Sequence, residues 1–537
     1  MMLSRFDLGL CAAFITAAAL VSAPAWSAPL GPTQAELDGS ASATDTWLMT
    51  NKSYDGLRYV ALDQITPKNV AELKPVCTYD SGLKAQAQST PLLYDGILYA
   101  TAAQTTLAID AKSCKEVWRY EWVVKGKALS TVNRGVAMKD GLIVRGTADG
   151  FLIALSMTDG KLAWQRQITS IEESHYLSMP PMIVDDRVIY GTAGADWGGQ
   201  GWIGAFKLTD GTEIWRYEVL PPKDAPGANS WGSADAIAHG GGSFWTPISL
   251  DRAKGIVFIP SGNPAPDFYG ESRPGADLGT DTVIALDAKT GKPLWSRQLL
   301  AHDTHDWDLS QTSPLVHATV KGQPRDIVIA GGKDGRLRAL DRETSEVLYD
   351  LAISKQENVD ADASVTPTHI CPGLLGGQEW SSSAYDPNHG TVIAPMVNWC
   401  GTVVHDAAPP VHQVATHFYG GKIDQDPIDQ ARGVLAAIDV ASGKPRWTVD
   451  AAAPMLANVT VTKGGVVFAG DLKGTLYAVN ADTGVVLLRY ALPASAGGGI
   501  FSYQLGGKQY LTALSGSVSA FFGGGTETVK ITVLALP

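Results

Sequence analysis

Residues 285–295 read ALDAKTGKPLW, and a block of this form recurs along the chain. Its recurring features are an Asp, a turn that usually ends in Gly and a final residue that is usually Trp. Clear copies occupy residues 108–118, 154–164 and 205–215, and weaker copies occupy 340–349, 438–447 and 479–488. A repeat of roughly 40–55 residues, lengthened in places by insertions, indicates similar structural units packed side by side.

Two short apolar runs joined by Asp-Gly precede the repeat block, as in residues 92–99 (LLYDGILY) and 136–144 (VAMKDGLIV). Asp-Gly between apolar runs predicts a tight hairpin, because Gly tolerates a positive φ and Asp can bond its own backbone. Each unit is therefore predicted to be a four-stranded antiparallel sheet, which is typical of a β-propeller blade. The repeated Trp is predicted to pack between neighbouring blades.

The sequence thus predicts an all-β, eight-bladed propeller over residues 29–537, with tryptophan-docking repeats and no second domain. Seven copies of the repeat are visible. The eighth blade is predicted to form when residues 56–79 pair with C-terminal strands around residues 503–513, which hides the edges of the ring. Large insertions lie between Trp215 and Trp295 and between Tyr349 and Trp447. Loops of that size in a compact repeat usually carry function.

Residues 1–28 are interpreted as a secretory signal peptide. The apolar run over residues 8–21 is shorter than the roughly 20 residues that a membrane span needs. Small residues follow, and cleavage is expected after Ala25, Ser27 or Ala28. A membrane anchor is the alternative. Export to the periplasm without stable membrane insertion is the prediction.

Cleavage leaves four cysteines, and an even number in an oxidising compartment favours two disulfides. Their order along the chain suggests Cys77–Cys114 and Cys371–Cys400, although three pairings are formally possible. The chain contains no CxxCH, so covalent haem is not encoded. A net charge of −12 and the absence of a Lys/Arg run argue against a nucleic-acid partner. No sequence feature indicates an oligomeric state.

The segments between the repeats resemble those of the quinoprotein alcohol dehydrogenases, propeller enzymes that hold pyrroloquinoline quinone (PQQ) and one calcium ion. The segment 132–137 (VNRGVA) is similar to the one whose Arg binds a quinone carboxylate, which assigns that role to Arg134. The segment 240–245 (GGGSFW) resembles the loop that lays an indole under the quinone, which implicates Trp245. The alternatives are a surface arginine on a turn and an indole used for blade packing.

Three further segments resemble the metal and catalytic loops. The string 261–266 (SGNPAP) implies that Asn263 is a calcium ligand through its amide oxygen. Asp196 stands where the family has a Glu ligand and is shorter by one methylene. The segment 302–308 (HDTHDWD) resembles the loop with the catalytic aspartate, so Asp308 is predicted to be the base and a metal ligand. A solvated acidic turn is the alternative for this run.

The remaining predictions from this resemblance concern the rest of the cofactor site. Lys333 resembles the basic residue that contacts the quinone oxygens, although its loop also looks like a hairpin turn. The other cofactor-binding candidates are Gln88, Ser178, Gly194, Ala195, Glu379 and Trp380. The chain departs from many members in lacking adjacent cysteines near residues 128–130 and a Trp in the segment 517–521. Other side chains must therefore cover the cofactor.

The resemblance implies that PQQ accepts a hydride from an alcohol, that calcium polarises the cofactor and that Asp308 removes the hydroxyl proton. Calcium is preferred because Ser310 stands where lanthanide-using relatives have an extra carboxylate. No GxGxxG motif supports a nicotinamide site. Without haem in the chain, electrons are expected to pass to a separate acceptor such as a cytochrome c. The alternatives are a non-enzymatic envelope scaffold and a PQQ enzyme acting on a sugar or polymeric alcohol.

Overall fold

Strands dominate the computed structural model, which describes Met1 and residues 31–523 and 525–537. The predicted signal peptide and its cleavage sites, apart from Met1, lie outside the described residues. Within the described part of the chain, the strands form nine sheets. Eight of these sheets have four or five strands, and they are numbered here as sheets 1 to 8 in chain order.

Sheets 1 to 4 are each built from four strands that follow one another along the chain and pair antiparallel with their neighbours. The strands of sheet 1 are Leu92–Tyr94, Ile97–Ala102, Thr105–Asp110 and Glu116–Glu121. Those of sheet 2 are Ala137–Lys139, Leu142–Gly146, Phe151–Ser156 and Leu162–Gln167. Those of sheet 3 are Met182–Val184, Arg187–Gly191, Trp202–Lys207 and Glu213–Glu218. Those of sheet 4 are Ser249–Asp251, Ile256–Pro260, Thr282–Asp287 and Pro293–Gln298.

Sheets 5 to 7 repeat this order with additions. The strands of sheet 5 are Leu309–Gln311, Leu315–Val320, Gln323–Gly332, Arg336–Asp341 and Val347–Ala352. Those of sheet 6 are Ala384–Asp386, Thr391–Asn398, Arg432–Asp439 and Lys444–Ala451. Those of sheet 7 are Thr460–Thr462, Val466–Gly470, Thr475–Asn480 and Val486–Ala491, joined in parallel by Tyr59–Val60.

Sheet 8 combines both ends of the chain. Its strands are Ile500–Leu505, Lys508–Ser515, Lys530–Ala535 and Lys74–Asp80. The predicted closure by both ends is confirmed, but the predicted pairing partner is wrong. Lys74–Asp80 pairs with Lys530–Ala535, which separates it from Lys508–Ser515. The Lys530–Ala535 strand carries no repeat block, so the repeat pattern could not reveal it.

The other elements are short. The ninth sheet lies in the second large insertion and contains Thr368–Ile370, Gly401–His405 and Gly421–Gln425. The helices are Gln34–Asp38 and Ala234–Ala238, and the 3-10 turns are Val70–Glu72, Ile171–Glu173, Ala195–Trp197, Ala228–Trp231, Gly270–Ser272, Ile428–Gln430 and Ala520–Phe522. Among the described residues, none of the helices combines the length and the apolar character that crossing a bilayer requires.

The repeated tryptophans dock sheets 1 to 4 and sheet 6 onto the sheet that follows each of them, as predicted. Their indole N–H groups donate to backbone carbonyls of the following repeat at 2.9–3.2 Å, in the pairs Trp118–Met157, Trp164–Leu208, Trp215–Ala288, Trp295–Arg342 and Trp447–Ala481. The ring of Trp215 also covers Gly291, where a Cβ would lie 2.5 Å from a ring carbon. The glycine of the repeat turn is therefore required both by its φ of +71° and by the indole above it.

Two disulfides brace the molecule. Cys77 bonds Cys114, which joins the Lys74–Asp80 strand of sheet 8 to the repeat turn of sheet 1. Cys371 bonds Cys400 within the second large insertion. Of the three pairings that the sequence allowed, the structure has the one that chain order favoured.

Candidate active site

A cavity of about 270 Å³ lies where loops from many sheets meet. The predicted residues that line it are Gln88, Arg134, Gly194, Asp196, Trp245, Asp308, Lys333, Glu379 and Trp380. Ser178, Ala195 and Asn263 are fully or almost fully buried and lie behind the lining. Loops that are far apart in sequence therefore converge on one cavity.

The topology of the sheets explains this convergence. Trp245, Asp308 and Glu379 lie in loops that lead into the first strand of a sheet. Asp196 lies in the loop between the second and third strands of sheet 3, and Lys333 lies in the corresponding loop of sheet 5, between Gln323–Gly332 and Arg336–Asp341. In an antiparallel sheet these two kinds of loop emerge at the same end, because strand direction alternates. Each sheet can thus contribute two loops to the same end of the ring.

Arg134 lies deep in the cavity, against aromatic rings. Its guanidinium donates to the Ser178 hydroxyl at 3.1 Å and to the Trp245 carbonyl at 3.2 Å. It lies 4.6 Å from the centre of the Trp245 ring and 5.8 Å from that of Trp380. Burial lowers its pKa to about 10, which leaves it a cation at neutral pH. Its buried Nε has no hydrogen-bond partner among the described residues, so it can donate to an anion.

Asp308 is held by three donors. Its Oδ1 accepts from the Trp245 indole at 3.0 Å and from the Asn263 backbone N–H at 3.2 Å. Its Oδ2 lies 2.6 Å from Lys333 Nζ. Gly262 allows the close approach of the Asn263 loop, because a Cβ there would lie 2.2 Å from Asp308 Oδ1. The carboxylate is fixed in direction and remains next to the cavity.

Lys333 bridges two acidic groups. Its ammonium lies 3.1 Å from Asp306 Oδ1 as well as 2.6 Å from Asp308. These carboxylates outweigh the cost of burial and raise the pKa of Lys333, so its charge is retained. Lys333 also lies 5.6 Å from the centre of the Trp245 ring. The predicted cofactor residues Arg134, Trp245 and Lys333 thus form one connected surface.

Asp196 belongs to a group of three buried or nearly buried carboxylates. One oxygen from each of Asp196, Asp267 and Asp306 lies within 4.8 Å of the others. Burial raises the pKa of Asp196 to about 6 and raises the pKa values of Asp267 and Asp306 as well. Asn263 Oδ1 is buried without a partner. All of these candidate donors are oxygen atoms, which suits a hard cation.

Glu379 and Trp380 line the same cavity. Burial raises the pKa of Glu379 to about 7, and its Oε1 has no partner. The Trp380 indole donates to the Gly497 carbonyl at 2.7 Å. Gln88 donates to the Val518 carbonyl at 2.9 Å, beside the C-terminal segment that also lines the cavity.

The second large insertion covers the cavity. The Phe418 N–H donates to the Asp196 carbonyl at 2.7 Å. His417 stacks between Trp197 and Tyr419, with ring centroids 4.4 and 4.5 Å apart. The insertion therefore contributes His417 and Tyr419 to the lining of the cavity. At the places of the missing cysteines and tryptophan, Leu129, Ser130 and residues 519–522 line the cavity instead.

Several site residues were missed by sequence reasoning. Asp267 directly follows the SGNPAP string, and Asp306 lies within the HDTHDWD run, so both had a signal in segments already singled out. Tyr176, His417 and Tyr419 line the cavity without any distinctive motif. Asp303, by contrast, accepts from the His305 and Trp307 backbone N–H groups and shapes its own loop.

Comparison with known proteins assigns the chain to a family. Residues 47–361, more than half of the chain, match the profile described as PQQ: glucose/ethanol/alcohol dehydrogenase, beta-propeller domain. The chain therefore belongs to the PQQ-dependent alcohol dehydrogenase family, and it is an oxidoreductase. A shorter stretch, residues 431–521, matches the profile described as outer membrane protein assembly factor BamB.

Among the similar relatives is a putative dehydrogenase XoxF from Paracoccus denitrificans, 28% identical over 88% of this chain and 87% of the relative. Another is the quinohemoprotein alcohol dehydrogenase ADH IIB from Pseudomonas putida, 27% identical over 90% of this chain and 75% of the relative. A solved europium-containing methanol dehydrogenase has a TM-score of 0.86 at 24% identity, covering 94% of this chain and all (100%) of the other. The structural likeness establishes the propeller fold.

Proposed function

We propose that this protein oxidises an alcohol to an aldehyde or ketone with PQQ and a calcium ion, and passes the electrons to a separate acceptor. The observation that carries the proposal is the convergence of Arg134, Trp245, Asp308 and Lys333 on one cavity beside unpartnered oxygen donors. Relatives named as quinohemoprotein alcohol dehydrogenases and methanol dehydrogenases agree with this reaction class. We interpret sheets 1 to 8 as the eight blades of the propeller.

The residues present fit a flat, anionic quinone. Arg134 and Lys333 supply two buried cations, and the Trp245 ring lies beside both. Arg134 would hold a cofactor carboxylate, because its planar guanidinium retains an unused donor. Gln88, Ser178, Gly194, Ala195, Glu379 and Trp380 remain proposed as the surrounding contacts. When bound, PQQ supplies the hydride-accepting carbonyl that no side chain can provide.

A hard cation fits the oxygen donors of Asp196, Asn263 and Asp308, which we propose as its ligands. The Asn263 amide oxygen is buried without a partner, and its cost of burial would be offset by coordination. We propose calcium because Ser310 carries no carboxylate; its hydroxyl donates to the Gln378 carbonyl at 2.6 Å.

Asp308 is proposed to take the proton from the substrate hydroxyl. The indole of Trp245 and the backbone N–H of Asn263 fix its Oδ1, which orients the second oxygen. Lys333 Nζ lies 2.6 Å from that second oxygen, so a cation stands beside the atom proposed to accept the proton. The cover formed by Trp197, His417 and Tyr419 restricts water at the cavity.

The cellular location of the protein and its electron acceptor are part of the same proposal. The predicted signal peptide places the protein in the periplasm. Since the chain has no haem-attachment motif, a separate cytochrome c or quinone-type acceptor is required.

The test is reconstitution of the purified protein with PQQ and calcium, followed by assay of primary, secondary and polymeric alcohols and of sugars with an artificial electron acceptor. We expect saturable reduction of the acceptor that depends on an alcohol, on PQQ and on calcium. Turnover of a sugar but of no simple alcohol would change the substrate class. Absence of acceptor reduction with every substrate would contradict the proposal.

A further inference from the structure

Asp267 is a buried carboxylate that makes no hydrogen bond within the part of the chain that the structure describes. The residue is fully buried, and both of its carboxylate oxygens lack a hydrogen-bond partner. An unpaired buried carboxylate is costly unless a cation or a proton compensates it. Asp267 lies four residues after Asn263, in the same loop of sheet 4. The buried carboxylate of Asp267 therefore indicates that a ligand binds next to it.

The neighbours of Asp267 identify the kind of ligand. One oxygen from each of Asp196, Asp267 and Asp306 lies within 4.8 Å of the other two. A calcium ion binds oxygen ligands at about 2.3–2.6 Å, so two ligands of one ion lie up to about 5 Å apart. A single hard cation can therefore touch all three carboxylates.

A buried arginine holds the backbone around Asp267 in place. The buried guanidinium of Arg273 donates to the Asp267 carbonyl at 3.2 Å and to the Asp303 carbonyl at 2.5 Å. It forms an ion pair with Asp277 at 2.5 Å, which fixes the guanidinium itself. Arg273 thus ties the loop of Asp267 to the loop of Asp306. The carboxylates of Asp267 and Asp306 are thereby held close to each other.

We propose that Asp267 is a further ligand of the bound cation, so that Asp267 and Asp306 join Asp196, Asn263 and Asp308 around one ion. This rests on the proposed function, which requires the ion. Asp267 adds a carboxylate oxygen near that of Asp196, whose side chain is one methylene shorter than the Glu of the family. The added negative charge tightens the binding of the ion.

The test measures ion binding directly in the full-length protein freed of metal. Terbium luminescence, excited through the tryptophans, reports occupancy, and displacement by Ca²⁺ gives the calcium affinity. Asp267→Asn is compared with Glu379→Gln, which removes a buried carboxyl of the same cavity outside the three-carboxylate group. We expect Asp267→Asn to weaken calcium binding about 10-fold or more, and Glu379→Gln to weaken it less than about 3-fold.

Asp267→Ala serves as a second variant, because an amide oxygen could still coordinate the ion. Both variants should fold, as judged by their urea midpoints, since the Asp267 carboxylate has no protein partner to lose. Calcium affinities for Asp267→Asn and Asp267→Ala no weaker than that of Glu379→Gln would overturn the proposal while leaving the proposed function intact. A wild-type protein that binds neither ion would instead refute the calcium-dependent function.

Discussion

At the scale of single residues, the carboxylate of Asp308 shows how this site prepares a base. Two donors, the Trp245 indole and the Asn263 backbone, fix one oxygen, and Lys333 supplies the compensating charge. The two hydrogen bonds to Oδ1, from the Trp245 indole and the Asn263 backbone N–H, do not require a negative charge on that oxygen. An amide oxygen at position 308 could accept the same two hydrogen bonds.

We therefore predict that Asp308→Asn keeps the fold and binds PQQ, but lowers kcat by about 10²- to 10⁴-fold, the usual contribution of a general base. Steady-state assay with an artificial electron acceptor and fluorescence titration with PQQ measure the two properties separately. Wild-type kcat in the variant would move the base role to Asp306, the other carboxylate beside Lys333.

The buried carboxyls also predict a pH dependence of stability. Burial raises the pKa of Asp196 to about 6, so the folded metal-free protein binds a proton there that the unfolded chain has lost. The stabilisation from that proton is fully present below about pH 4 and is lost as the pH rises through about 6. Metal-free protein is therefore expected to lose up to about 3 kcal/mol of stability over this window through Asp196.

Urea denaturation of the metal-free protein at several pH values measures this loss. Asp196→Asn removes the titrating group and should flatten the decline relative to the wild type. A variant whose stability falls as steeply as the wild type between pH 4 and pH 7 would show that Asp196 titrates normally.

The sequence revealed those site residues that stand in distinctive strings. Arg134, Trp245 and Asp308 could be predicted because each lies in a segment with several unusual residues in order. Tyr176 and Tyr419 could not, because a single tyrosine in a loop carries no signal until the fold shows its neighbours. Asn263 was predicted, but its burial behind the cavity lining depends on packing.

At the scale of elements, the contact between a repeated indole and the glycine of the next repeat holds neighbouring sheets together. Trp215 both covers Gly291 and donates to the Ala288 carbonyl. The sequence predicted this docking because the Trp and the Gly recur at fixed positions. It could not predict the small sheet in the second insertion, whose strands carry no repeat.

Gly291→Ala tests the docking contact. The added methyl group would overlap the Trp215 ring and also occupy a positive φ. Gly255→Ala is the matched control, because Gly255 lies in sheet 4 with a φ of +67° and open space around its Cβ position. We expect the control to lose about 1 kcal/mol and Gly291→Ala to lose about 2–4 kcal/mol in urea denaturation. Equal losses would mean that the indole contributes nothing beyond backbone strain.

At the scale of the whole molecule, the ring closes by pairing the two ends of the chain. The repeat pattern predicted the closing sheet but not its strand order, because Lys530–Ala535 has no repeat block to mark it. Closure matters for the site, since Gln88 and residues 519–522 line the cavity from opposite ends of the chain. The lining of the cavity therefore draws on both ends of the chain.

The central claim is that one cavity holds both a flat quinone and a cation, and linked binding tests it most directly. Metal-free protein is titrated with PQQ, with and without calcium, while tryptophan fluorescence is recorded. We predict saturable binding of one PQQ per chain that calcium tightens about 10-fold or more, with PQQ tightening calcium binding by the same factor. Affinities of PQQ and calcium that do not depend on each other, or no saturable PQQ binding, would contradict the claim.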